Sequence, residues 1–66
     1  MNAKDQRKLC EKGYVILRKQ DNPYPHIKYK SINNPSNWKK LESYFNKTIR
    51  DKEMNKLLQN EYYIED

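Results

Sequence analysis

The chain has 66 residues, 35% hydrophobic and 35% charged, with 14 Lys and Arg against nine Asp and Glu and a net charge of +5. One domain, residues 1–66, is all such a length supports, and its core is thin, because a domain of about 60 residues buries only about 60% of the surface its unfolded chain exposes. A single glycine and a single cysteine exclude phosphate-cradling loops with several glycines and an internal disulfide.

A mean hydropathy of −1.36 borders on that of disordered chains. Six Tyr, one Trp and one Phe argue for folding, since each aromatic buries a large area and disordered chains contain few. The lone Cys10, the absence of an apolar run at the N-terminus and the absence of any stretch near the roughly 20 apolar residues of a membrane span imply a soluble, unprocessed, cytoplasmic protein. Charge is polarised along the chain. From Lys12 to Lys40 seven basic residues face one acid, Asp21, whereas from Asp51 to Asp66 two lysines face five acids. A basic middle of this kind attracts polyanions.

Residues 3–12, AKDQRKLCEK, are good helix formers, and Gly13 stands where a helix-ending residue belongs. With only Ala3, Leu9 and Cys10 as apolar content, this helix must rest on the remainder of the domain or fray. YVILRKQ, residues 14–20, is a strand bounded by Gly13 and the DNPYP loop. HIKYKS, residues 26–31, alternates His26, Lys28 and Lys30 with Ile27, Tyr29 and Ser31, the period-2 pattern of a half-buried strand paired with the first.

Residues 37–44 fit two readings. As a helix, Trp38, Leu41 and Phe45 keep helical spacing, which would give an αββα order with a two-stranded hairpin and a long or broken helix from about residue 36. As a strand, they follow NNPSN as a hairpin loop, and Asn46 starts a fresh helix over 47–59. The strand reading is preferred, because Trp38, Leu41, Phe45 and Ile49 drift out of phase with Met54, Leu57 and Leu58. The expected fold is therefore α+β: a short N-terminal helix, a three-stranded antiparallel sheet and a C-terminal helix whose Met54, Leu57 and Leu58 stripe lies on one face. EYYIED, residues 61–66, is set apart as an acidic tail that could be an added strand, a frayed end or a docking peptide.

Catalytic patterns are missing. Cys10 and His26 lie in different elements, the Cys fits a buried apolar role, and no cluster has metal-ligand spacing, so neither a metal, a cofactor nor an enzyme is expected. The basic centre is the one feature with functional character. Three neighbouring strands would turn Leu17, Ile27 and Tyr29 toward the last helix and present Arg18, Lys28 and Lys30 on the other face, with Lys39 or Lys40 from the third strand. Such cations neutralise phosphates, with Tyr29 or Trp38 beside the bases.

The inferred order over residues 14–59, three antiparallel strands and a following helix, resembles the small arm-type DNA-binding domains at the N-termini of tyrosine-recombinase integrases. That resemblance implies reading of the major groove by an open sheet face; the first helix departs from it. The preferred expectation is a non-enzymatic module binding DNA or RNA. The alternative is a protein-interaction module engaging an acidic partner, or a homodimer that buries Trp38, Phe45 and Tyr62.

Overall fold

Both helices begin on asparagine caps. The Asn2 side chain accepts the Asp5 N–H at 2.8 Å and the Asn46 side chain accepts the Ile49 N–H at 2.8 Å, each satisfying a donor that a helix start leaves free. The first helix stops at Gly13, whose φ of +98° is left-handed. There the Gly13 N–H donates to the Cys10 carbonyl at 3.0 Å and the Tyr14 N–H to the Leu9 carbonyl at 3.1 Å, a paired closure that consumes two orphan carbonyls. A side chain at residue 13 would meet no neighbour but would be strained by that backbone.

The structure, a computed structural model, describes residues 1–66 as α1 (Ala3–Glu11), β1 (Val15–Gln20), β2 (His26–Lys30), β3 (Lys39–Ser43), α2 (Lys47–Leu57) and β4 (Tyr63–Glu65). Residues 39–43 are thus a strand, and Asn46 caps a separate helix. The sheet runs β3-β2-β1-β4, antiparallel except for the parallel pairing of β4 with β1. Of the three readings open for residues 61–66, the added strand is the one observed.

Alternation assigns the two faces. Leu17, Ile27 and Met54 form the buried cluster between the sheet and α2, with Val15, Tyr29, Tyr44, Leu57, Leu58 and Tyr63 packed around it. On the other face Ile16 is buried, and α1 covers it with Gln6 and Cys10, which lie four residues apart on one side of that helix. The sheet therefore lies between two helices rather than having one face open along its whole length. Three antiparallel strands followed by a helix are present in that chain order, whereas β4 adds a parallel fourth strand and α1 covers part of the face expected to be open.

A buried arginine ties α2 to the sheet. Arg50 is 5% exposed and donates to the Gln20 carbonyl at 2.7 Å, to Asp21 and, at 3.0 Å, to Asp51. Hydrogen bonding to Arg50 holds the Asp21 carboxyl below its ordinary range. Arg50→Ala removes these bonds and leaves the Gln20 carbonyl short of a partner, so a loss of roughly 1.5–3 kcal/mol is expected in urea unfolding. Because the Asp21 pKa is depressed in the folded state, its contribution is complete above the unfolded pKa and is lost as pH falls through the folded value. Asp21→Asn should accordingly flatten the acid limb of a stability-versus-pH curve.

Candidate functional site

Arg18 of β1 pairs directly with Lys28 of β2, and Lys28 with Lys40 of β3. Directly opposed residues point to the same side, so three cations stand in one row at the strand spacing of about 4.8 Å. Lys28 is in no ion pair. Lys40 meets only the Tyr24 hydroxyl, at 3.0 Å, with its ammonium 5.3 Å from that ring's centroid. The contact lowers the Tyr24 pKa, chiefly through the Lys40 hydrogen bond and then that of Ser43, and raises that of Lys40. His26 closes this end of the face, its ring 5.2 Å from the Tyr24 ring and its Nδ1 2.6 Å from the Tyr24 carbonyl, which it meets as donor.

The other end of the row is occupied. The Arg18 guanidinium lies 4.3 Å from the Trp38 ring centroid and the Lys30 ammonium 4.8 Å from it, both within cation–π range. Lys30, 4% exposed, donates to Gln6 Oε1 at 2.9 Å; Gln6 Nε2 donates to Asp66 Oδ1 at 2.6 Å; Arg18 Nε donates to Asp66 Oδ2 at 2.7 Å. This chain of contacts joins β2, α1, the end of β4 and β1 around one indole. Burial pushes the Asp66 carboxyl up, but hydrogen bonds from Arg18 and Gln6 outweigh it and hold the group below its usual range.

The residues singled out from sequence thus divide. Arg18, Lys28 and Lys40 come together in the row, with Trp38 beside it. Lys30 shares their face but is enclosed under α1, contrary to the expectation of an exposed cation: its position opposite Ile16 falls beneath the helix. Tyr29 and Lys39 are paired with each other on the α2 side, and Tyr29 packs on the core there, so neither accompanies the row. The irregularity between Ile27 and Lys28 places Ile27 opposite Glu42 and Lys28 opposite Lys40, leaving Leu41 as the extra residue of β3.

Three residues of this region were not evident from the sequence. Tyr24 is the aromatic beside Lys40, brought there by the DNPYP loop. Asp66 neutralises Arg18. Arg7 of α1 donates to Ser36, and with Lys4 and Pro35 these residues line a notch of about 360 Å³. Only the unequal charge of the two chain halves hinted at the Asp66 contact.

No three His, Cys, Asp or Glu side chains are grouped to hold a metal, and no helix is long and apolar enough to cross a membrane. Cys10 is fully buried, and burial raises its thiol pKa, which opposes thiolate chemistry. A second surface feature lies between β3 and α2. It is a groove of about 550 Å³ lined in part by Leu41, Tyr44, Ile49 and Leu57, and the neighbouring Phe45 is 90% exposed. Comparison of the chain with protein-family models, curated proteins and solved structures finds no match.

The Lys30–Gln6–Asp66–Arg18 chain makes an ordering of variants testable. Gln6→Ala strands the buried Lys30 ammonium and takes one of the hydrogen bonds to Asp66, which keeps Arg18, and should cost roughly 1–3 kcal/mol. Lys30→Met removes the buried charge itself and should cost less. Urea denaturation of the two variants against the parent measures that order.

Proposed function

We propose that the protein is a small non-enzymatic module that binds nucleic acid by holding backbone phosphates on the row Arg18, Lys28 and Lys40. The alignment of these three cations across adjacent strands carries the proposal. Like charges directly opposite one another destabilise a sheet. Edge protection accounts for a lysine on β3 but not for Lys28, because β2 is a central strand. With Arg18 paired to Asp66, the unrelieved repulsion is that between Lys28 and Lys40, and a polyanion laid along the row would relieve it and release counterions.

The surroundings favour phosphate contact over base reading. Trp38 is engaged by Arg18 and Lys30, and Tyr29 faces α2, which leaves the 41% exposed Tyr24 as the aromatic nearest the row. Binding should therefore be largely indifferent to sequence and admit DNA or RNA. Three phosphate contacts correspond to a slope of log affinity against log salt of about −2 to −3.

A second reading, a protein-binding module, is favoured by the exposed Phe45 beside an apolar groove. Lys28→Glu separates the two. Placed between Arg18 and Lys40, the carboxylate should stabilise the sheet by up to about 1 kcal/mol while sharply weakening binding to a short mixed-sequence oligonucleotide, measured by fluorescence anisotropy beside a thermal melt. Unchanged oligonucleotide affinity in a well-folded variant contradicts the phosphate role, and absence of any binding by the parent leaves the protein-binding reading.

A further inference from the structure

We infer that Asp66 is an internal competitor for the phosphate site: its carboxylate occupies Arg18 in the free protein, and a bound phosphate displaces it together with the end of β4. The inference rests on the phosphate-binding reading of the row and adds to it a built-in latch.

The geometry is that of a carboxylate held where an anionic ligand would go. Asp66 Oδ2 lies 2.7 Å from Arg18 Nε and 2.5 Å from Nη2, so both nitrogens of one guanidinium edge are spent on it. Arg guanidinium takes phosphate through the same fork. The Arg18 side chain nevertheless remains 38% exposed, leaving it reachable from solvent at the end of the row. The acidic strand follows the basic one for a second contact, Glu65 to Lys19 at 3.6 Å.

The segment carrying the carboxylate is lightly held. β4 has three residues and pairs only with β1, and beyond it the Asp66 N–H donates to the Leu17 carbonyl at 2.8 Å and Asp66 Oδ1 accepts from Gln6 at 2.6 Å, the two bonds besides those to Arg18 that displacement must break. Tyr63 is the anchor that packs on the core, three residues before Asp66. Release of the last residues can therefore leave the Leu17, Ile27 and Met54 cluster covered, because α2 lies over it. Strand ends of this kind open locally at low cost.

The test compares the parent chain with Asp66→Asn, which keeps an oxygen for Gln6 and removes the charge on Arg18, and with Glu61→Gln, which removes the same charge from an exposed residue in no ion pair. Affinity for a short mixed-sequence duplex is measured by anisotropy between about 50 and 200 mM salt. Asp66→Asn should bind at least about threefold more tightly than Glu61→Gln with a similar salt slope, because once Asp66 is displaced the same three cations meet phosphate in both variants. Equal affinities in the two variants overturn the latch while leaving phosphate binding intact. Failure of all three proteins to bind overturns the phosphate-binding reading and the latch with it. Binding by Asp66→Asn alone supports both. Hydrogen exchange on the parent needs no variant: the Asp66 amide should lose protection when the duplex is added, and retained or increased protection overturns displacement.

Discussion

A buried ammonium group sets the terms for one whole face of this domain. Lys30 is almost fully enclosed, and a charge removed from water must be compensated at close range. Gln6 supplies an oxygen, Trp38 supplies a π face, and Gln6 in turn fixes Asp66, which holds Arg18. No buried side-chain nitrogen or oxygen lacks a partner, so the network is closed. Without it α1 would offer the sheet little besides Cys10. With it the helix has a fixed seat, and the apolar core on the α2 side is relieved of holding the domain together alone.

That arrangement explains how so polar a chain folds. Five buried hydrophobic residues are few for 66, and polar anchors act at both ends of the sheet: the Lys30 network under α1, and Arg50 with Asp21 and Asp51 at the start of α2. Each anchor joins elements far apart in sequence. Both depend on carboxylates whose pKa values are depressed, Asp66 and Asp21, so acid weakens the two faces together.

Local chemistry made much of the fold legible. The helix formers of AKDQRKLCEK with Gly13 after them, the apolar run YVILRKQ, the alternation in HIKYK and the fresh helix start at Asn46 are signals read within a few residues, and they placed both helices, β1, β2 and the side that receives α2. The identity of β3 followed from a phase break at Asn46 rather than from its own pattern, in which every residue is exposed. Nonlocal facts were less accessible. Nothing in AKDQRKLCEK states that Gln6 will meet Lys30, and the enclosure of Lys30 follows from that meeting. Parallel pairing of β4 depends on the path of the chain after α2. The bulge at Leu41 decides that Lys40, not Lys39, completes the row, and a bulge leaves no periodic trace. Arg18 and Lys28 were recoverable because simple alternation suffices for them.

The row is the place where sheet stability and ligand binding oppose one another, with Lys28 on a central strand directly opposite the unpaired Lys40 and beside an Arg18 that Asp66 holds. The most direct measurement is an amide NMR titration of the labelled protein with a short duplex and with its single strand, at low and then moderate salt. Shifts centred on Arg18, Lys28 and Lys40, extending to Tyr24 and Asp66 and collapsing as salt rises, are the expected result. Absence of shifts at low salt, or shifts confined to Leu41, Phe45 and Ile49, would contradict phosphate binding on this face.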